Sequence, residues 1–269
     1  MGMARVICGG IGSLVVGVAL VGGAWGQTAP AAGTAPAAKP KTSTSTASKP
    51  ATAATYDRKL LKPALLKEKA PDTFQVSFET TRGDFTITVT RAWSPLGADR
   101  FYNLVKHRYF DNAPIFRVVP SFVAQFGISA YPPVTAAWRD AKINDDPRSQ
   151  SNKKGTIVFA TSGPNTRTTQ LFINLKDNAS LDGQGFTPFG AVDGKGMNVV
   201  DMFYDQYGDS AGMDQDAIEK GGKKYIDTKW PKLDTIKTAS VVGEPAAPAA
   251  KPAAKTGSTG AKPATKPAP

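Results

Sequence analysis

Apolar and polar residues alternate with a period of two through most of the middle of the chain. Phe74, Val76 and Phe78 are separated by polar residues, and Phe85, Ile87 and Val89 repeat the pattern after Arg82-Gly83-Asp84. That period puts alternate side chains on one face of a strand, so the pair reads as a β-hairpin. At Ser94-Pro95 the period lengthens. Serine suits a helix N-cap and proline the first helical position, and Ala98, Phe101, Leu104 and Val105 supply an apolar helix face. Short strands are predicted at Phe116–Val119, Val123–Phe126, Thr156–Ala160, Gln170–Asn174 and Phe189–Val192. A second helix is predicted from Met197 to about Gln206, and a closing strand from about Ile236 to Val242. Many short strands with two clear helices indicate a mainly β fold, a closed antiparallel barrel. Tyr207–Leu233 yields no element, because Gly221-Gly222 interrupts any helix and Pro231 ends one.

The pattern fades at both ends. Residues 27–72 are dominated by Ala, Thr, Pro, Ser and Lys, and residues 244–269 repeat that chemistry. Such tracts bury too little apolar surface to offset chain entropy, so both are expected to be disordered. Between them lies a single domain, residues 73–243. Residues 1–26 read as an export signal: Arg5, the apolar run Ile11–Val21, then Ala24-Trp25-Gly26 with small residues at the −3 and −1 positions. The run is short for a spanning helix, so a retained membrane anchor is the minor alternative. The expected location is therefore the periplasm or the exterior.

Charge and cysteine narrow the chemistry. The formal net charge is +11, but residues 73–242 hold 20 basic and 18 acidic side chains, leaving 13 basic and 4 acidic residues outside. The basic character thus belongs to the flanks, which are expected to make weak contact with anionic envelope surfaces. Without interleaved aromatics they do not resemble a nucleic-acid-binding tail. Cys8, the single cysteine, lies ahead of the predicted cleavage site. A mature chain without cysteine and with one histidine supplies no ligand set for zinc or heme. No cofactor and no metal are expected. His107, at a helix end between Lys106 and Arg108, reads as a solvated residue. Asp205, Asp209, Asp214 and Asp216 lack EF-hand spacing.

Two segments carry the candidate chemistry, Phe116–Gln125 (FRVVPSFVAQ) and Gly163–Asn174 (GPNTRTTQLFIN). Arg117 lies in an otherwise apolar run, where a charge is costly unless it has a partner or a task. Taken singly, Arg117 reads as a structural arginine at a sheet surface, Gln125 as a satisfied strand residue and Phe172 as core. The joint order is more specific: arginine, phenylalanine five residues on, glutamine eight on, a Gly-Pro-Asn turn, Gln-Leu-Phe, and Leu-Asp-Gly ahead of Phe-Gly.

That order resembles the cyclophilin family of peptidyl-prolyl cis-trans isomerases across Phe74 to Val242. The resemblance implies an eight-stranded barrel capped by two helices. It places Arg117 as the catalytic arginine and Phe122, Val123, Phe172 and Leu181 as walls of a proline pocket, with Phe186 near its rim. Gln125 and Gln170 match residues that bind the substrate backbone, and Ala160 with Thr161 matches the edge contacting the preceding residue. Ser180 stands where many eukaryotic members have tryptophan, Val123 where methionine is usual, and Phe126-Gly127 where Gly-Gly is usual. The implied activity is isomerisation of Xaa-Pro bonds in proline-containing polypeptides, by a monomer that assists the folding of exported proteins. The alternative is a non-catalytic chaperone or binding module gripping proline-containing segments.

Overall fold

The computed structural model describes residues 56–245. The predicted signal at 1–26, residues 27–55 of the predicted linker and residues 246–269 of the tail lie outside the described residues.

Eight strands form one antiparallel sheet: β1 (Thr73–Thr80), β2 (Gly83–Thr90), β3 (Arg117–Val119), β4 (Val123–Phe126), β5 (Thr156–Phe159), β6 (Leu171–Asn174), β7 (Pro188–Val192) and β8 (Ile236–Val241). Their order is β3-β4-β6-β5-β7-β2-β1-β8. The first hairpin forms as the alternation predicts, pairing Phe78 with Phe85 and turning through Thr81-Arg82. Phe74, Val76, Phe78, Phe85, Ile87 and Val89 are all buried. The Phe78 and Phe85 rings stack at 5.0 Å, and Phe101, Phe110 and Phe126 each approach Phe78 within 6.3 Å. This aromatic cluster centres the main core.

The expected closed barrel is replaced by an open sheet, and one isolated bridge joins the segments just ahead of its two end strands. Pro114 faces Thr235, with Ile115 N–H donating to the Asp234 carbonyl and Ile236 N–H to the Ala113 carbonyl. β3 is only three residues long, and among the described residues no ladder joins it to β8.

The helices also differ from expectation. Helix α1 (Pro95–Lys106) starts at Ser94-Pro95 as predicted, but Ser94 does not cap it with its own hydroxyl. Asp146 does: its carboxylate accepts from Leu96 N–H and Gly97 N–H at 3.0 Å each, and from the Ser94 hydroxyl at 2.5 Å. Buried Arg167 balances that charge at 3.0 Å. The helix predicted at Met197–Gln206 shrinks to α3 (Gly196–Val200), followed by turns. Two helices were not predicted, α2 (Pro132–Trp138) and α4 (Gln215–Lys229). Gly222 kinks α4 with φ +56°, and a Cβ there would lie 2.5 Å from the Ala130 carbonyl and 2.6 Å from Pro132. Only glycine lets this backbone approach so closely while in that conformation.

The folded body also begins earlier than residue 73. Asp57 caps a 3-10 turn at Arg58–Leu61, Leu60 is fully buried, and its carbonyl accepts from the Trp138 indole at 2.8 Å. Asn103 exchanges hydrogen bonds with the Glu68 backbone, and Ala70 N–H donates to Asp99. His107 is 3% exposed and bonds Asp57 through Nδ1 at 2.6 Å, so the solvated reading was wrong. Composition could not reveal this strap, because its partners lie about thirty to eighty residues away.

Candidate active site

The site forms on the second face of the β3-β4-β6-β5 half of the sheet. In register, Arg117 opposes Gln125, Gln125 opposes Phe172, and Phe172 opposes Val158. Directly opposed residues in antiparallel strands share a face. Intervening Val118, Ala124, Phe126, Leu171 and Ile173 turn into the main core. The period-2 pattern thus gives these strands two buried faces, one structural and one carrying the candidate chemistry.

On the site face, Val123, Val158, Ala160, Phe172, Leu181 and Phe186 form their own apolar cluster, with Phe122 packed against it. The Phe172 and Phe186 rings meet edge to face at 5.5 Å. Loops complete the cluster and are tied down by buried polar groups. Asp182 accepts from Ser151, from Asn152 N–H and from the Asn152 amide at 2.6–2.8 Å. Burial would raise the Asp182 pKa, but these bonds outweigh it and hold the carboxyl below its usual range. Asn152 also donates to the Phe186 carbonyl, and Asn178 to the Phe122 carbonyl. Leu181, Phe186 and Phe122 are held from both flanks.

Beside the apolar cluster runs a directional polar chain. Arg117 Nη1 donates to Gln125 Oε1 at 3.3 Å, and Gln125 Nε2 donates to Gln170 Oε1 at 2.9 Å. Gln170 Nε2 donates to Gln215 Oε1, and Gln215 Nε2 to the Gly212 carbonyl, each at 2.9 Å. Arg117 Cζ stands 5.9 Å from the Phe122 ring centre. Its Nε donates to Asp209 at 2.5 Å. The arginine is 7% exposed, which its carboxylate, amide and aromatic neighbours make affordable.

Nine of the ten residues expected from the sequence are brought together here: Arg117, Phe122, Val123, Gln125, Ala160, Gln170, Phe172, Leu181 and Phe186. Thr161 turns its hydroxyl into the Gly163–Thr166 turn instead, bonding Gly163 and Thr166. Ser180 is exposed. Val158 was missed, although it lies two residues before Ala160 on a predicted strand. Asp209, Gly212 and Gln215 were missed because Tyr207–Leu233 carries no readable period. Among the described residues no cluster of His, Cys, Asp or Glu could hold a metal ion.

Residues 75–222 match the family described as cyclophilin type peptidyl-prolyl cis-trans isomerase/CLD. A peptidyl-prolyl cis-trans isomerase of Acinetobacter baylyi is 30% identical over 167 residues, covering 60% of this chain and 88% of the relative. Peptidyl-prolyl cis-trans isomerase CYP18-2 of Arabidopsis thaliana is 33% identical over 132 residues, covering 47% and 77%. A solved cyclophilin-type isomerase of Cryptosporidium parvum superposes with TM-score 0.47 at 19% identity, covering 64% of this chain and 99% of its own. The match over residues 75–222 takes in most of β1 and all of β2 to β7, and on it this chain belongs to the cyclophilin-type peptidyl-prolyl cis-trans isomerase family.

Proposed function

We propose that Arg117 and the apolar cluster beside it carry the isomerisation of Xaa-Pro bonds. The observation behind this reading is the juxtaposition itself: a guanidinium at the edge of Phe122, Val123, Phe172, Leu181 and Phe186, continued by the Gln125–Gln170 amides. Delocalisation of the nitrogen lone pair into the carbonyl sets a rotation barrier of roughly 18–20 kcal/mol for a peptide bond. Unaided prolyl isomerisation takes tens of seconds or longer. Catalysis needs no covalent step. The cluster grips the ring, the glutamine amides bond the flanking backbone, and rotation localises the lone pair on nitrogen. A donor aimed at that nitrogen or at the carbonyl then binds the twisted amide better than either planar isomer, which lowers the barrier. Arginine suits this because it stays charged and presents donors in a fixed fork. The Ala160-Thr161 edge receives the residue before proline through backbone groups, since the Thr161 hydroxyl is engaged within its own turn.

The chain is further read as an exported monomer assisting the folding of exported proteins, with α1 and α3 as the two helices capping the curled sheet. The apolar run Ile11–Val21 followed by Ala24 and Gly26 supports export. Protease-coupled isomerisation of a short Xaa-Pro peptide tests the enzymatic reading. Saturable acceleration is expected, and peptide binding without acceleration would leave the binding-module alternative.

A further inference from the structure

Tyr207–Trp230, unreadable as sequence, is an arm that folds onto Arg117. Its apolar residues Ala211, Ile218 and Ile226 pack with Phe116, the residue preceding the arginine, in a cluster separate from the main core and from the site cluster. Gly212 lies so close that a Cβ there would be 2.6 Å from Arg117 Cδ and 2.9 Å from Cγ. The arm is thus seated against the residue before the arginine and against the arginine's stem. From that seat it presents Asp209 to the Nε edge at 2.5 Å and Gln215 to the end of the glutamine chain.

A guanidinium has five N–H donors, and Nε carries one of them. With Asp209 on Nε, the remaining donors all belong to the two terminal nitrogens. Nη1 reaches Gln125 over a longer 3.3 Å contact, so the carboxylate is the shorter of the two restraints. The Asp209 side chain is 56% exposed while that of Arg117 is 9% exposed, which sets the pair at the boundary between solvent and the site face.

We infer that Asp209 is a positioning residue for isomerisation: it fixes the Nε edge and aims the terminal donors of Arg117 at the amide bound on the apolar cluster. This rests on the reading of Arg117 as the catalytic donor. Without the carboxylate the long side chain samples other rotamers, and the donors are no longer preorganised where charge develops in the twisted state.

The test is a double-mutant cycle on the full chain, read by protease-coupled isomerisation of an Xaa-Pro peptide and by thermal melting. Asp209→Ala should lower kcat roughly 10-fold or more by misaiming the donor, with KM changed little. Asp209→Glu should restore part of that loss by returning a carboxylate to the arm. In an Arg117→Ala background, Asp209→Ala should have almost no further effect on kcat, because its target is gone. Unchanged kcat in Asp209→Ala, or an equal loss in the Arg117→Ala background, overturns the proposal while leaving the isomerase reading intact. An inactive unmodified protein overturns both.

Discussion

The strap at 56–72 and the arm at 207–230 both lack a clear period, yet both fold onto the body; both touch α2, but only the arm reaches the site. The strap bonds Asp99, Asn103, Lys106, His107 and Trp138, all on or beside α1 and α2. The arm bonds Arg117 and Gln170, both members of the site. One segment completes the core and the other completes the chemistry. Distance along the chain does not separate these roles; the identity of the residue each segment touches does.

Cutting the strap should break that contrast most severely. A chain trimmed to residues 73–243 loses Leu60, the acceptor for Trp138 and the partner of His107. Leu60→Ala alone should cost roughly 2–5 kcal/mol, which at ~2–4 °C per kcal/mol lowers Tm by about 4–20 °C. Activity per folded molecule in the cold should stay near that of the unmodified protein. A melt of Leu60→Ala that overlays the unmodified one would show the strap to be ornamental.

On the arm, Gly212→Ala is the matching intrusion. Its Cβ would displace the Arg117 stem, and a shift of about 1 Å is enough to cost up to ~10²-fold in rate. Chymotrypsin-coupled kcat/KM should therefore drop well out of proportion to Tm, the reverse of the Leu60 pattern. Equal losses in both readouts would put the arm in the same category as the strap.

Ser180 sharpens the comparison from the rim of the site. Exposed and small, it supplies neither the flat apolar area nor the indole donor of the tryptophan found there in cyclosporin-binding family members. Cyclosporin should inhibit weakly, and Ser180→Trp should tighten it about 10-fold, the scale of one aromatic contact. Strong inhibition of the unmodified protein would assign that role to another residue.

The smallest effect belongs to the outermost contact of the strap. Lys106 bonds Glu68 at 2.6 Å and thereby holds the Glu68 pKa below its usual range, a pull aided by the charge of Lys106 and opposed by slight burial. A lowered carboxylate pKa stabilises the fold above the ordinary glutamate range, and the gain fades as pH falls through that range. Both side chains keep solvent contact, so Lys106→Gln should cost at most about 1 kcal/mol at neutral pH and less in acid. Melts at pH 7 and pH 3.5 would check the sign.

How legible these features were follows from the range of the forces behind them. The hairpin β1-β2, the start of α1 and most of the strands were readable because alternation and capping are local. The site residues came from the resemblance and not from the period, since Arg117, Gln125 and Phe172 read singly as structural or core; the cross-strand register that brings them onto one face is visible only in the folded sheet. The strap was hidden because its few buried residues, Asp57, Leu60 and Ala70, are scattered through a lysine-rich stretch with no period. The arm was hidden because its kink at Gly222 has meaning only against Ala130 and Pro132. The open seam was hidden because the bridge between Pro114 and Thr235 joins residues 121 positions apart.

The account turns on Arg117, and kcat/KM of Arg117→Ala and Arg117→Lys, measured beside their melting curves, tests it most directly. Loss of one preorganised donor should lower kcat/KM of the alanine variant roughly 10²–10³-fold. Lysine should recover only part of this, since a point charge cannot reproduce the fork. Both variants should retain a cooperative melt, because the strands around residue 117 are held by backbone pairing and the main core. An alanine variant that melts like the unmodified protein and isomerises Xaa-Pro peptides at the unmodified rate would contradict the account.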